Sequence, residues 1–579
     1  MSIRTKIIAT VGPERPLFDP YNQRSAEPVN YLDMITWFFE AGVNVFRLNM
    51  SHRSPDGEME NRFLDAYREC RYHWERQKKE LAILGDLQGP KIRTGNFNGD
   101  PLSTISLKSG GEFTLHTRRA VDGNEDRVSV LYDNKPFADM TRQLSVGAQI
   151  WLGDGEALIE ARDISTSEGV VKCGVLSGGE IRGGRGVTVK NVSFDLASFT
   201  NKDQEDLRLL LSFGAELTYV ALSFIRSAED ILQVKCFIQD EYRKLLAQDK
   251  DISTRMPGLI AKIETPEAQS AARIEEILDV ADGIMIARGD LGMQLDIEEV
   301  ARIQKRIIHQ CNVRGKPVIT ATQMLDSMER NPVPTRAEIT DVYNAILDGT
   351  DAVMLSGETS KGPYPVQAIR MLANIAGKAE EDFFKLVNQE DRFLKLLHEA
   401  EKNLPLTRER VRQKKAAYGA QGTSPRPRYF QEYESACELL ETQQMTDRVS
   451  HAACSLSAGV QAAAIMAPTS SGQTARMVAR YRPELPIIGA AHNYFVARKL
   501  TLCFGVYPVN ILDGYSSSEE VFEAGCACAK KVVVRSQPAG TAPPEPMPLV
   551  QTGALVVITA GYPLNMTGTT NLVKLHRVK

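Results

Sequence analysis

The sequence reads GLIAKIETPE at residues 258–267 and ADGIMIARGDLG at residues 281–292, two apolar runs that each end in charged side chains. Near-continuous apolar runs of this length are typical of parallel strands that are covered on both faces. Consecutive strands of this kind end at the same edge of a sheet, so Lys262, Glu264 and Asp290 are predicted to lie together. Either run alone would be read as an exposed strand end with ordinary charges. Their succession predicts a divalent-metal site beside an ammonium, suited to neutralising a phosphoryl group or an enolate.

The same pattern recurs along the chain and predicts eight units of strand and helix. The apolar runs are at residues 6–12, 43–49, 81–86, 217–223, 259–262, 283–288, 317–322 and 352–356. Eight such units predict an α/β fold, a closed (β/α)8 or TIM barrel, whose chemistry lies at the carboxyl ends of the strands. Arginine, lysine and carboxylates follow several of these runs, where purely structural positions would more often be small or apolar.

Two further regions depart from the barrel pattern. Short alternating stretches and glycine turns between the third and fourth runs predict an inserted small β-barrel that acts as a lid. A strand and helix pattern after the eighth run predicts a C-terminal α/β regulatory domain, with a flexible insertion at residues 404–433 and a proline-rich loop at residues 537–548. The predicted order is barrel at 1–87, lid at 88–190, barrel at 191–385 and C-terminal domain at 386–579.

Composition limits the class of protein. The chain of 579 residues is 43% hydrophobic and 25% charged, which predicts a soluble protein of several domains. A net charge of -4 and a pI near 6.2 give no electrostatic reason to expect nucleic acid. The nine cysteines are scattered, and Cys526 and Cys528 lack a second pair at metal-ligand spacing, so reduced thiols in a cytoplasmic protein are expected. No run reaches the roughly 18 apolar residues of a spanning helix, and no membrane association is expected.

Five motifs resemble those of the pyruvate kinase family, and the resemblance spans nearly the whole chain. They are TKIIATVGP at residues 5–13, RLNMSH at 47–52, QGPKIRT at 88–94, ATQML at 321–325 and MLSGET at 354–359. The resemblance implies phosphoryl transfer from phosphoenolpyruvate to ADP, giving pyruvate and ATP in the last step of glycolysis. It also implies a homotetramer with allosteric regulation.

The residue chemistry at the predicted rim fits this reaction. Glu264 and Asp290 are expected to hold Mg2+ or Mn2+, which would fix the substrate and polarise the future enolate oxygen. Arg47 is expected to clamp the phosphate with its planar fork, and Lys262 to act as a point charge on the transferring group.

The other substrate groups have their own predicted partners. The backbone N–H groups of Gly289 and Asp290 are expected to hold the substrate carboxylate. Thr322 is placed beside the enolate carbon, where it would relay a proton through water, although a plain strand hydroxyl is the simpler alternative. For the nucleotide, the resemblance implies the residues Asn49, His52, Arg53 and Arg185. The lid residue Arg185 stands where the family usually has lysine, and a solvated charge in a glycine-rich turn is the alternative.

Departures from the family pattern change the expected cofactors. Many members bind potassium, and the matching positions here are Asn49, Ser51, Asp86 and the carbonyl of Leu87. Lys91 stands where potassium-requiring members usually have glutamate, and its ammonium can supply that charge internally, so little potassium dependence is expected. Thr94 fits the potassium-requiring type better. Gln294 replaces the usual glutamate after Asp-Leu-Gly, which would alter the outer support of the metal.

A hydroxyl-rich turn in the C-terminal region predicts a phosphate-sized cradle. Its residues are Thr469, Ser470, Ser471, Gly472, Gln473 and Thr474. The resemblance implies a phosphorylated effector there, closed over by residues 568–571. The alternative is a capped helix without a ligand.

Two other functions compete with this interpretation. A metal-dependent lyase or aldolase acting on phosphoenolpyruvate or pyruvate would share Glu264 and Asp290, but would not need the lid, Lys262 and Arg47 together. A catalytically silent metabolite sensor would be free to lose these residues.

Overall fold

The structure is a computed structural model, and it describes residues 3–21, 23–76, 79–192, 194–248, 256–386, 409, 443–511, 515, 517–535, 546–562 and 570–579. The predicted insertion at 404–433 lies outside the described residues except for Glu409. Residues 537–545 of the predicted proline-rich loop also lie outside them. The end of that loop is instead a short strand, Pro546–Pro548, which pairs antiparallel with Val533–Arg535.

Eight parallel strands form a closed barrel, as predicted. In chain order they are β1 Lys6–Thr10, β2 Val45–Asn49, β3 Ala82–Asp86, β4 Leu217–Leu222, β5 Gly258–Ile263, β6 Gly283–Ala287, β7 Val318–Ala321 and β8 Ala352–Leu355. Seven of the eight predicted apolar runs contain one of these strands, and the run at 259–262 lies within β5. Closure follows because β1 pairs with both β2 and β8.

Helices surround the barrel and pack their apolar faces on it. They are Tyr31–Ala41, Glu58–Arg76, Asn201–Leu211, Ala228–Gln248, Ala271–Val280, Arg288–Gln294, Glu299–Arg314, Arg336–Asp348, Gly357–Ser360 and Pro365–Leu386. Short 3-10 turns lie at Met50–His52, Gly214–Glu216 and Asp326–Glu329. Local sequence sets several helix starts: Thr200 and Thr335 each form a capping box with an acidic residue three positions later.

The insertion between β3 and β4 contains a main sheet and a two-stranded sheet, Thr104–Leu107 with Gly179–Arg182, which share a core of their own. Its strands are Arg93–Thr94, Thr104–Leu107, Glu112–His116, Arg127–Tyr132, Lys135–Pro136, Gln149–Leu152, Ala157–Ser165, Val170–Ser177, Gly179–Arg182 and Val187–Val189, with one helical turn at Met140–Gln143. All described pairs are antiparallel except that of Glu112–His116 with Arg127–Tyr132. A bridge between Arg93 and Gly186 joins the two ends of the main sheet, so that it curls into a small barrel.

The C-terminal region is a five-stranded sheet flanked by helices. The strand order is Val506–Asn510, Ile487–Ala491, Ala464–Thr469, Leu555–Ala560 and Leu572–Arg577, the last of which is antiparallel to its neighbour. The helices are Gln443–Gly459, Gln473–Ala479, Tyr494–Lys499 and Ser518–Ala529. Among the described residues, no helix combines the length and the apolar character needed to cross a membrane.

Candidate active site

The ammonium of Lys262 lies among polar groups at the carboxyl rim of the barrel. Its Nζ is 3.1 Å from Asp86 Oδ1, 3.0 Å from Glu264 Oε1 and donates a 2.7 Å hydrogen bond to Ser223 Oγ. Burial alone would lower the pKa of Lys262, but the carboxylates of Asp86 and Glu264 outweigh burial and raise that pKa. The rim therefore holds a permanent positive charge with little exposure to water.

Arg47 shares its carboxylate partner with this lysine. Arg47 Nε donates to Asp86 Oδ2 at 2.7 Å, and its Nη1 donates to Thr10 Oγ1 at 2.9 Å. Burial would raise the pKa of Asp86, but Lys262 and Arg47 together lower it, so the group is a carboxylate that joins two cations. Nη2 of Arg47 makes no hydrogen bond to the part of the chain that the structure describes. This nitrogen is the one left for an external anion.

Glu264 is the second carboxylate beside Lys262 at the same rim. The residue is fully buried, and its Oε2 accepts a 2.8 Å hydrogen bond from the backbone N–H of Phe224. Its Oε1 lies 3.0 Å from Lys262 Nζ as an ion pair and accepts no hydrogen bond. Burial raises the pKa of Glu264, Lys262 opposes that effect, and the nearby charge of Asp290 raises the pKa further. An oxygen with an ionic partner but no hydrogen bond keeps a lone pair for a cation. Glu264 and Asp290 together therefore fit a divalent metal.

The number of carboxylates agrees with that fit. Among the described residues, no group of three or more His, Cys, Asp or Glu side chains is arranged to hold a metal ion. Mg2+ is commonly bound through one or two carboxylates, with substrate oxygens and water completing its shell. The side chain of Asp290 is 28% exposed, so that a substrate can reach it.

Thr322 and Gly289, both predicted to bind substrate, are in direct contact. The backbone N–H of Gly289 donates to Thr322 Oγ1 at 2.8 Å, and that hydroxyl donates to the carbonyl of Ala321 at 2.6 Å. In this structure the threonine hydroxyl already accepts from the Gly289 amide, and the binding of a substrate carboxylate by that amide stays a prediction. A carboxylate would have to replace that hydroxyl.

Two of the predicted nucleotide residues are engaged near the turn that follows β2. The side chain of Asn49 caps the turn Met50–His52 by accepting the N–H of Ser51 at 3.2 Å. Nε of Arg53 lies 3.3 Å from Oδ1 of the buried Asp206. Arg53 is therefore directed at a helix of the barrel, which the sequence did not predict.

The other two predicted nucleotide residues are His52, which lies near cations, and Arg185, which lies beside a carboxylate. The pKa of His52 is lowered by burial and by the charges of Lys361 and Arg93, so its ring is held neutral among cations. Arg185 donates to Glu156 Oε1 at 2.6 Å within the lid, and its side chain is 41% exposed. Arg185 must leave Glu156 before it can contact a phosphate.

Three of the four possible potassium ligands, Asn49, Asp86 and Leu87, already accept hydrogen bonds from the protein, and Ser51 donates its backbone N–H to Asn49. Both oxygens of Asp86 are taken by the two cations described above, and the carbonyl of Leu87 accepts a 2.7 Å hydrogen bond from Ser223 Oγ. Lys91 Nζ lies 3.8 Å from Asp290 Oδ1. The lysine that replaces the usual glutamate thus lies beside a candidate metal ligand.

A cleft between lid and barrel opens onto this rim, with about 600 Å³ of space including its solvent-filled mouth. Its lining includes Lys91, Ile92 and Val189 from the lid side and Phe224, Arg226, Asp290 and Gln294 from the barrel side. Gln294 Oε1 is buried without a hydrogen-bond partner, while its carbonyl accepts a 2.8 Å bond from the N–H of Asn191. Gln294 therefore contacts the returning end of the lid through its backbone.

The C-terminal cradle is largely closed by its own hydroxyls. The N–H of Gly472 donates to Thr469 Oγ1 at 2.9 Å. Thr474 Oγ1 lies 2.9 Å from Thr570 Oγ1, so the predicted closing segment does reach the turn; residues 568–569 lie outside the described residues. The hydroxyls of both Thr469 and Thr474 thus have partners within the protein.

Sequence reasoning missed several supporting residues. Thr10, which holds Arg47, ends β1 inside a quoted motif and could have been found by reading the end of that strand. Ser223 is the last residue of the fourth apolar run, and it links Lys262 to the end of β3. Asp206 and Glu156 had no sequence signal, because their arginine partners are distant in sequence.

Comparisons with known proteins agree with this geometry. A family model described as "Pyruvate kinase, barrel domain" matches residues 2–369, and one described as "Pyruvate kinase, alpha/beta domain" matches residues 447–576. A pyruvate kinase of Geobacillus stearothermophilus is 36% identical over 100% of this chain and 80% of its own length. One of Bacillus licheniformis is 35% identical over 99% and 80%. A crystal structure of a Cryptosporidium parvum pyruvate kinase superposes with a TM-score of 0.74 at 27% identity, covering 100% of this chain and 96% of that one.

Proposed function

We propose that Lys262 carries the phosphoryl transfer in this chain, which belongs to the pyruvate kinase family and converts phosphoenolpyruvate and ADP to pyruvate and ATP. The observation that supports this role is the raised pKa of Lys262 between Asp86 and Glu264. A lysine that stays protonated can stabilise the charge on the transferring group throughout the reaction. Nη2 of Arg47 then binds a phosphate oxygen from the same side.

Glu264 and Asp290 would hold the divalent metal, Mg2+ or Mn2+. When bound, the ion supplies Lewis-acid polarisation of the substrate oxygens and offsets the charge of the enolate. Glu264 contributes Oε1, which accepts no hydrogen bond, and Asp290 contributes a carboxylate within reach of the cleft. The positive charge of Lys262 offsets the negative charge of the buried Glu264.

Thr322 would deliver the proton that turns enolate into pyruvate. In the structure its hydroxyl is held by the Gly289 N–H and the Ala321 carbonyl. When a substrate carboxylate takes the N–H of Gly289, Thr322 Oγ1 loses that donor. Its O–H then turns from the Ala321 carbonyl to a water, which passes one proton to the enolate carbon as it takes one from the hydroxyl. The new C–H bond receives this proton, and solvent restores the hydroxyl.

Low potassium dependence is a second part of the proposal. Lys91 Nζ lies 3.8 Å from Asp290, and Asp86 is already neutralised by Arg47 and Lys262, so the rim has its positive charge without a monovalent ion. Turnover of the wild type is expected to change little when potassium is added to a sodium-free and potassium-free buffer. Lys91→Glu is expected to become potassium-dependent. Strong activation of the wild type would contradict the proposal.

Finer features follow from family membership and stay proposals. The small β-barrel acts as a lid over ADP, with Arg185 leaving Glu156 to meet the nucleotide phosphates. The chain is a cytoplasmic homotetramer, and the cradle at residues 469–474 takes a phosphorylated effector. The lyase, aldolase and silent-sensor alternatives are not favoured, because both domain models and the full-length relatives are pyruvate kinases.

The central test compares Lys262→Met with the wild type and with Lys244→Met. Lys244 also pairs with a glutamate, Glu241 at 2.8 Å, but its side chain is 64% exposed and distant from the rim in sequence and fold. Pyruvate formation from phosphoenolpyruvate and ADP with magnesium is measured for each. We expect turnover in the wild type and in Lys244→Met and none in Lys262→Met. Undiminished turnover in Lys262→Met would refute the proposed role.

A further inference from the structure

The backbone that carries Thr322 adopts an unusual conformation. Thr322 has a φ of 65° and Gln323 a φ of 52°, so two consecutive residues with side chains lie in the left-handed region. A β-branched residue rarely adopts this conformation, and it persists only where the surroundings over-determine it. Some neighbouring group must therefore hold this segment.

Arg288 is that neighbour. Its Nε donates to the carbonyls of Ala321 and Thr322 at 3.3 Å each, and its Nη2 donates to the carbonyls of Thr322 at 2.7 Å and Gln323 at 3.2 Å. One planar guanidinium thus binds three consecutive carbonyl groups. The residue is only 8% exposed.

The other end of the guanidinium is anchored as well. Arg288 Nη1 donates to Asp341 Oδ2 at 2.6 Å and to Gln304 Oε1 at 3.4 Å. Asp341 belongs to the helix Arg336–Asp348, which packs outside β7 and β8. The guanidinium of Arg288 therefore connects the helix Arg336–Asp348 to the backbone of residues 321–323, and its N–H donors are engaged with protein acceptors.

We propose that Arg288 is a positioning residue for the proton-transfer step: it fixes the left-handed backbone at Thr322 and so places the Thr322 hydroxyl. This inference rests on the proposed role of Thr322 and deepens it. Arg288 itself does not touch substrate. The adjacent Gly289 N–H, which follows the carboxyl end of the neighbouring parallel strand β6, holds the same hydroxyl.

A lysine at this position would not replace the arginine. Lysine carries three donors on one nitrogen, whereas guanidinium carries five in a rigid plane, and only the plane can reach three carbonyls and a carboxylate together. In Arg288→Lys the charge remains but the segment loses most of its support. A displacement of about 1 Å at the reacting group can lower the rate by about 10²-fold.

A matched control separates positioning from general stability. Arg314 is 5% exposed, donates to Glu275 at 2.8 Å and pairs with Asp279, so it is as buried and as well paired as Arg288. It ends the helix Glu299–Arg314, at the opposite side of the barrel from the rim. Its partners Glu275 and Asp279 belong to the helix Ala271–Val280 and are not proposed site residues.

The experiment uses the full-length wild type, Arg288→Lys and Arg314→Lys. Steady-state kcat and the KM values for phosphoenolpyruvate and ADP are measured, and NMR follows exchange of pyruvate methyl protons with D2O in the presence of Mg2+ and ATP. That exchange breaks a C–H bond and forms a C–D bond, with the proton passing to solvent. It therefore reports the step at Thr322 without net phosphoryl transfer.

We expect Arg288→Lys to lower kcat and methyl-proton exchange by about 10²-fold, with the KM for ADP nearly unchanged. Arg314→Lys should leave both rates near those of the wild type, even where its melting temperature falls. Near wild-type exchange in a folded Arg288→Lys, or equal losses in the two variants, would overturn the inference. Absence of turnover in the wild type would instead refute the proposed function.

A second variant covers the case in which Arg288→Lys does not fold. Asp341→Asn keeps the arginine but weakens the anchor of its Nη1. We expect methyl-proton exchange to fall by about tenfold, as for the loss of an outer hydrogen-bond partner. Unchanged exchange in Asp341→Asn would count against the inference.

Discussion

Two buried charge clusters lie at opposite ends of the barrel. The first is at the carboxyl rim and contains Lys262, Asp86 and Glu264. The second lies where the barrel meets the C-terminal sheet, and it joins Asp351, which directly precedes β8, to Arg482. Lys262 and Asp351 are both less than 10% exposed, so burial does not distinguish the two clusters.

The clusters differ in how far their carboxylate oxygens are used. Asp351 Oδ1 accepts from Arg482 Nη1 and from the N–H of Phe504 at 3.0 Å each, and Oδ2 accepts from the N–H of Val318 at 3.0 Å. At the rim, Glu264 Oε1 accepts no hydrogen bond and lies 3.0 Å from Lys262 Nζ. A buried carboxylate whose oxygens all accept hydrogen bonds holds two domains together, whereas one whose oxygen has only an ionic contact can still coordinate a ligand.

The largest expected effect is a loss of activity at the rim without a loss of stability. Glu264→Gln should lower magnesium-dependent turnover by on the order of 10³-fold, because a metal ligand contributes several kcal/mol to the transition state. Its free energy of unfolding without metal should not fall. The folded-state pKa of Glu264 is raised, so above its unfolded pKa the charge weakens the fold, and the amide removes that penalty.

Magnesium titrations of turnover and urea unfolding without magnesium check this prediction. The amide oxygen can still accept from the N–H of Phe224, so little packing is lost. A variant that loses activity only in proportion to a loss of folded protein would show that Glu264 is structural. In that case both buried charge clusters would be structural.

The fold was predictable because the physical signal is local. A strand buried on both faces is a near-continuous apolar run, and each of the eight predicted runs overlaps one barrel strand. In the C-terminal region the sequence did not single out Val506–Asn510, which contains Pro508, or the edge strand Leu572–Arg577, which alternates with charged residues. An interrupted or alternating pattern carries less information about a strand.

The site was predictable only in part. Reading strand ends placed Lys262, Glu264 and Asp290 on one rim, because barrel topology brings those ends together. The partners of each charge were not predictable: Arg53 meets Asp206, 153 positions away, through the packing of a helix on the barrel. Asp86 likewise binds the two cations Arg47 and Lys262, although the sequence indicated it only as a possible potassium ligand.

The next prediction concerns the second cluster. Asp351→Ala should lower the free energy of unfolding by about 3 kcal/mol, because Arg482 is left buried without its carboxylate. The loss is at the low end of the range since Arg482 Nη2 keeps its 2.7 Å bond to Asn312 Oδ1. Turnover per folded molecule should stay near that of the wild type.

Urea unfolding and an activity assay on the folded fraction test this expectation. Asp163→Ala is the control, because Asp163 pairs with Lys172 at 3.3 Å but is 64% exposed. The control should change stability by less than about 1 kcal/mol. A loss of turnover in Asp351→Ala that exceeds the loss of folded protein would show that the second cluster also acts on the site.

The smallest expected effect is a pH dependence at the domain interface. Lys6 is 4% exposed and donates to the carbonyl of Val506 at 2.6 Å, and burial lowers its pKa from 10.5 to about 8. Between these two values the unfolded chain binds more protons than the folded one. The free energy of unfolding therefore rises with pH across that window, by at most about 1.4 kcal/mol per pH unit.

The comparison of wild type with Lys6→Met isolates this contribution. The difference in their free energies of unfolding, measured with urea from pH 7 to 10, should be constant below pH 8 and then rise in favour of the wild type. A difference that stays flat would mean that Lys6 is hydrated and keeps an ordinary pKa. Lys262, by contrast, has a raised pKa, so Lys262→Met should show no such rise over the same range. The two buried lysines then differ for one reason: Lys262 lies against two carboxylates, whereas burial is the largest influence on Lys6.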